Sequence, residues 1–199
     1  FDENSKIIII CGFQRHLLQV QVSGVCWIYN PFYEVTNSLG SLWFARQYLN
    51  QEITVLNGDI VMSEELMRQV VCRSTDRPMI LMDSSIKDGD YNVQTDDGRV
   101  VVMSKALTNY TGEYAGVTKL DAVSAAKLEQ QICEMVSDGR YVTWYEDALV
   151  QMIFERNFSL YACDISQYEW TEVDSVDDLL YAKQIHKKEM SLSRYTQPL

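Results

Sequence analysis

Two acidic turns hold the residues best placed to do chemistry in this chain. Asn57-Gly58-Asp59 follows the apolar run Glu52-Ile53-Thr54-Val55-Leu56, which reads as a buried strand, so Asp59 falls just past a strand end. Glu172-Val173-Asp174-Ser175 leads into the helical run 176–186, and Asp174 stands at the tip of that polar turn. Carboxylates presented from strand ends by separate parts of an α/β domain can clamp one divalent cation. A hard ion such as Mg²⁺ takes one or two protein carboxylates and fills its shell with water and substrate phosphate oxygens. The pair therefore points to chemistry at a nucleotide phosphate. A plainer use is open to the same residues. Gly-Asp after a strand makes a turn, and Asp or Ser before a helix makes a cap. Ser175 and Asp178 have the spacing of a capping pair, with Asp where the usual box has Glu or Gln.

The elements that must position these turns alternate between strand and helix. Residues 6–12 predict a strand, 13–20 a short amphipathic helix, and 25–29 a second strand stopped by Asn30-Pro31. Thr36 or Asn37 caps a helix reaching about Leu49, and a further helix opens at Ser63 with Glu64 and Glu65 in its first turn. Residues 78–83 form another strand. The middle changes character: 91–104 alternates, turns at Thr95-Asp96-Asp97-Gly98 and returns, the pattern of a β-hairpin. A strand at 113–120, helices at 121–136 and 142–155, a strand at 160–165 and a helix from 175 to about 188 follow. These features predict an α/β fold, a mostly parallel mixed sheet flanked by helices in a Rossmann-like sandwich, with an antiparallel hairpin insertion. One domain over 1–190 and a flexible tail over 191–199 are expected, because the tail has no packing pattern.

Composition limits the function classes. Hydrophobic residues make up 47% and charged residues 23% of 199, the balance of an ordinary globular domain. A net charge of −11 argues against a general nucleic-acid binder, which needs a basic face for phosphates. It leaves room for a nucleotide pocket, where a bound cation reverses the local field. No apolar run approaches the roughly 20 residues of a membrane-spanning helix. The five cysteines are scattered without a CxxC pair, as expected of reduced thiols in a cytoplasmic protein. His16 and His186 lack ligand spacing to any cysteine, which argues against a zinc site.

Several segments resemble one family. Asn30-Pro31-Phe32-Tyr33-Glu34-Val35-Thr36-Asn37-Ser38-Leu39-Gly40-Ser41-Leu42 resembles the NPxYxxTNNxxSL stretch of bacterial choline-phosphate cytidylyltransferases. Their wider group is the sugar-phosphate nucleotidyltransferases. Leu56-Asn57-Gly58-Asp59, Ser104-Lys105, Gly112-Glu113-Tyr114-Ala115-Gly116-Val117, Tyr145-Glu146-Asp147 and Glu172 to Asp178 agree with that group in order. The resemblance covers nearly the whole chain to about residue 188.

The resemblance implies a nucleotide-diphospho-sugar transferase fold. It also implies Mg²⁺-dependent nucleotidyl transfer, with CTP favoured, to phosphocholine, aminoethylphosphonate or a sugar 1-phosphate, releasing pyrophosphate. Asp59 and Asp174 would be the catalytic metal ligands. Asn37, Ser38 and Ser41 would lie near the base and ribose, and Lys105 near a phosphate. Tyr145, Glu172 and Trp144 would face the acceptor, since an aromatic wall with a carboxylate holds a quaternary ammonium head. Helix capping for Asn37, core packing for Tyr145 and a solvated position for Lys105 are the plainer alternatives.

The group's members also begin with a strand and a GxGxR loop followed by a lysine, which wraps the triphosphate. This chain starts at Phe1, at what resembles their second strand. Two expectations follow: a piece of a longer protein, or a domain without that cradle. On either, the chain by itself should bind triphosphate weakly and be inactive. An uncovered strand edge should then pair with a missing N-terminal segment or with a second copy in a homodimer. A non-catalytic relic of the fold, acting as a binding domain, is the alternative function. A glycosyltransferase would usually show DxD, and Asn57 occupies the first of those positions.

Overall fold

The structure, a computed structural model, describes residues 5–85, 89 and 91–195. Its elements run β1 (Ile8–Cys11), α1 (Arg15–Gln19), β2 (Cys26–Tyr29), α2 (Ser38–Phe44), β3 (Ile53–Leu56), β4 (Ile60–Met62) and α3 (Glu64–Leu66). After a wider π turn at Met67–Val71 come β5 (Met79–Asp83), β6 (Asn92–Asp96), β7 (Arg99–Ser104) and β8 (Gly112–Leu120). The chain ends with α4 (Ala122–Ser137), α5 (Tyr145–Arg156), β9 (Tyr161–Asp164), β10 (Trp170–Glu172) and α6 (Val176–Tyr195).

The chain forms two compact units, Phe1–Ile53 with Leu120–Phe158 and Thr54–Lys119 with Ser159–Leu199. Periodicity reports which face of an element is buried and says nothing about which elements share a core. In the first unit β1 and β2 pair in parallel, from Ile8 opposite Cys26 to Cys11 opposite Tyr29. Helix α4 starts where Asp121 accepts from the Val123 and Ser124 amides at 2.9 and 3.1 Å. Its Ala125, Leu128, Ile132 and Met135 recur at helical spacing and are buried with Ala148, Leu149 and Met152 of α5. Leu39 and Leu42 of α2 are buried too, and α2 packs on both helices.

The second unit is built on a six-stranded sheet of order β3-β8-β5-β9-β7-β6, with a separate ribbon of β10 and β4. Its core is Leu66, Val71, Leu81, Ala115, Val117, Ile165 and Trp170. The predicted hairpin is β6–β7: Asp96 pairs with Arg99 across Asp97 and Gly98, both at positive φ as a primed turn requires. The sheet is mixed as expected, but parallel pairing is confined to β1–β2 and β5–β9 among the described registers. Strand β8 runs antiparallel to β5 and β6, and β7 to β9. Apolar strand patterns encode burial rather than direction, so the share of parallel pairs was overstated.

Helix α6 continues to Tyr195, so 191–195 are helical where a tail was expected. The first strong helix breaker beyond His186 is Pro198. The remaining tail residues, 196–199, lie outside the described residues. No helix among the described residues is long and apolar enough to cross a membrane.

Candidate metal centre

The ribbon brings the two acidic turns together. Trp170, Thr171 and Glu172 of β10 lie antiparallel to Met62, Val61 and Ile60 of β4. The Val173 amide extends that ladder by donating to the Asp59 carbonyl at 3.0 Å. Asp59 is thus fixed opposite Val173. Glu172 and Asp174, two residues apart, flank Val173 and project to a common side of an extended chain. Carboxylate oxygens of Asp59, Glu172 and Asp174 all lie within 4.8 Å of one another. Asp59 and Asp174 are exposed and Glu172 is half-buried.

Three carboxylates this close repel one another unless a cation neutralises them. The set is all hard oxygen, with no thiolate or imidazole, which suits Mg²⁺ rather than a softer ion. Exposure of two members leaves room for the water and phosphate ligands such an ion requires. The residues fit a hard divalent cation.

Local chemistry fixes each side of the cluster. Asp178 accepts from the Ser175 amide and hydroxyl at 2.8 and 2.6 Å and from the Asp174 amide at 3.3 Å. Ser175 Oγ accepts in return from the Asp178 amide at 3.2 Å. This is the reciprocal cap anticipated from the Ser175–Asp178 spacing, and the Ser175 hydroxyl leads in holding the Asp178 carboxyl below its ordinary pKa. The cap freezes the turn that carries Asp174. Strand β10 is tied at its other end, where Trp170 Nε1 donates to the buried Asp83 carboxylate at 2.8 Å. Asp83 also accepts from Ser85 N and Oγ at 2.8 and 2.6 Å. The Lys119 ammonium, on buried β8, donates to the Val70, Val71 and Arg73 carbonyls and closes the end of the π turn.

The other expected site residues are placed less simply. Asn37 is the N-cap of α2, its side chain accepting from the Ser38 amide at 2.8 Å. Ser38 Oγ accepts from the Tyr145 amide at 3.0 Å, and Ser41 Oγ from Asn30 Nδ2 at 3.1 Å. Asn30, only 1% exposed, also donates to Thr36 Oγ1 and accepts from the Phe32 amide, both at 2.9 Å. Asn37 thus caps α2, while Ser38 and Ser41 bond to distant parts of the first unit. Lys105 is exposed in the turn after β7.

Tyr145, expected to face an acceptor, is 2% exposed in the core. An aromatic in the first turn of an amphipathic helix turns inward when its neighbours Ala148, Leu149 and Met152 do so. Trp144 precedes it at the cap, 38% exposed. Glu172 stands with the other carboxylates of the second unit. Its i, i+2 relation to Asp174 at a strand end was the signal that it could be a third ligand. Asp83 carried no such signal, because its partner Trp170 is distant in sequence.

No family model matches the chain, and no curated protein matches it. Solved structures do. CTP:phosphocholine cytidylyltransferase from Streptococcus pneumoniae superposes with a TM-score of 0.71 at 20% identity, over 90% of this chain and 78% of that one. The inositol-1-phosphate CTP transferase from T. maritima gives 0.68 at 15%, over 90% and 76%. A UDP-glucose pyrophosphorylase complexed with UDP-glucose gives 0.67 at 11%, over 92% and 81%. At such identities the likeness shows the fold: the chain has the Rossmann-like α/β fold of the nucleotidyltransferases, with a central sheet flanked by helices.

Proposed function

We propose that this protein transfers a nucleotidyl group, with CTP the favoured donor, to a small phosphorylated acceptor such as phosphocholine, aminoethylphosphonate or a sugar 1-phosphate. The observation that supports this most is the convergence of Asp59, Glu172 and Asp174 within 4.8 Å on a fold shared with such enzymes. In this reading the three carboxylates hold Mg²⁺, which when bound supplies charge stabilisation at the α-phosphate. The protein's own work is to fix those carboxylates: the Ser175–Asp178 cap orients Asp174, and the β4–β10 register sets Asp59 against Glu172. Rigid placement of charge before reaction is the larger part of catalysis in phosphoryl-type transfers.

Asn37, Ser38, Ser41 and Lys105 are assigned to the nucleotide, and Trp144 to the acceptor, on the resemblance of their segments. CTP is favoured because two of the structural neighbours are CTP-dependent by name. A cytoplasmic location belongs to the same reading, supported by five free cysteines.

The test is pyrophosphate release with each of four nucleoside triphosphates against a panel of phosphorylated acceptors, with Mg²⁺ and with chelator. It is run on this chain alone and on the chain joined to its upstream genomic sequence. Mg²⁺-dependent release with CTP and one acceptor is expected. Ligand binding without release for any pair would select the second reading, a binding domain on the same fold. That reading is favoured by the burial of Tyr145 and by the internal bonds of Ser38 and Ser41.

A further inference from the structure

The β5–β8 pairing is interrupted where β8 passes the Asp59 turn. Ile80 of β5 pairs with Thr118 and Met82 with Tyr114, so Ala115, Gly116 and Val117 together face Leu81 alone. This bulge is bridged by a buried bond between Tyr114 Oη and Thr118 Oγ1 at 2.8 Å. At its crest Gly116 adopts φ +68°, the left-handed region that favours glycine. Its carbonyl accepts from the Asn57 amide at 2.9 Å. A Cβ on Gly116 would stand 2.8 Å from both Cγ1 and Cδ1 of Ile60 and 3.3 Å from Asn57 Cβ. Gly116 therefore touches the residues on either side of the Gly58-Asp59 pair. Ile60 is also the register partner of Glu172, so a shift of the Ile60 backbone carries both Asp59, its chain neighbour, and Glu172, its ladder partner. Bulges recur beside active sites because they re-aim a backbone without ending the sheet.

We infer that Gly116 is a positioning residue for the carboxylate cluster, its missing side chain setting how far Asp59 and Glu172 stand from Asp174. This rests on the metal reading above. A methyl at Gly116 must displace the Ile60 side chain, whose Cγ1 and Cδ1 both stand 2.8 Å away, or press on Asn57 Cβ at 3.3 Å. The cluster then opens although all three carboxylates remain. A purely structural glycine would instead change stability and leave the cluster's ion affinity alone.

Gly98 supplies the control. It has φ +73° with nothing within 4 Å of a Cβ, in a hairpin turn rather than at the cluster. Gly98→Ala thus imposes comparable backbone strain without the close approach. Mn²⁺ binding to the full chain is followed by the electron paramagnetic resonance of the free ion, with thermal melting in chelator alongside. Gly116→Ala is expected to weaken Mn²⁺ binding about tenfold or more, the usual cost of losing a support behind metal ligands. Gly98→Ala should lower the melting temperature and leave Mn²⁺ affinity unchanged.

Equal affinity in Gly116→Ala and the unaltered chain, when the unaltered chain binds, overturns the positioning role. No binding by the unaltered chain sinks the metal reading itself, a separate result. Should Gly116→Ala not fold, Ile60→Ala is compared with Ile60→Ala/Gly116→Ala, where room for the methyl has been made. Equal affinity in those two upholds the inference. A further tenfold loss there contradicts it, because backbone strain rather than the close approach would then limit the cluster.

Discussion

The α2 segment and the acidic turns make an instructive pair. Both were singled out by residue type and spacing, and the α2 segment and the Asp174 turn each begin a helix with polar side chains. In the α2 segment those side chains serve the protein itself: Asn30 binds Thr36 and Ser41, and Ser38 receives the Tyr145 amide. In the acidic turns the supporting bonds come from backbone and from Asp178, while Asp59, Glu172 and Asp174 converge. One region orders itself with its polar groups. The other is ordered by its neighbours and gathers like charge, which costs stability unless a ligand offsets it.

That contrast is broken most directly by substituting the cluster. Asp59→Asn is expected to reduce pyrophosphate release by about 10²–10³-fold, the range found when one preorganised electrostatic group is lost. Its metal-free melting temperature should stay level or rise, since one of three mutually repelling charges is gone. A fall in melting temperature without loss of turnover would make Asp59 a turn residue and erase the contrast.

Asn30→Ala should behave in the opposite sense. It removes the hub of three hydrogen bonds at a position 1% exposed, and the loss of a buried network typically costs about 2–3 kcal/mol. Urea unfolding reads this directly. A cost near zero would mean that the segment is held by packing alone.

Asp121 sharpens the comparison within a cap. Burial pushes its carboxyl up, and the bonds from Ser124 and the Val123 amide outweigh that, leaving it below its ordinary value of 3.8. A depressed carboxyl contributes stability at pH above 3.8 that is lost as pH falls through the folded-state value. Asp121→Ala should therefore cost about 1 kcal/mol at pH 7, as lost caps do, and the gap to the unaltered chain should narrow in acid. Denaturant titrations at several pH values would show it. The smallest effect is expected at Lys188, whose bond to Glu169 is 2.8 Å long with both partners exposed. Lys188→Ala should leave stability nearly unchanged in the same denaturant titrations, because solvent screens an exposed ion pair.

The sequence showed these regions to different depths. The Asp97-Gly98 hairpin and the Ser175–Asp178 pair were legible because a turn or cap is decided by residues within four positions. The convergence of Asp59 with Asp174 was an expectation from their strand-end positions, strengthened by resemblance, because 115 residues separate the two in sequence and the β4–β10 register joins them. The division into two units and the bulge at Gly116 depend on pairings that no local pattern reports. The surroundings of Tyr145 are hidden from its sequence neighbourhood in the same way. Its type suits an aromatic wall, but the helix face it shares with Leu149 and Met152 decides where it points.

The central claim is that Asp59, Glu172 and Asp174 hold one divalent cation. Anomalous scattering from a crystal of the protein soaked in Mn²⁺ tests it most directly. A single strong peak within about 2.0–2.3 Å of an oxygen from each of the three carboxylates is the result expected of a hard-cation site. Manganese bound elsewhere, with these carboxylates turned to solvent, would contradict the account.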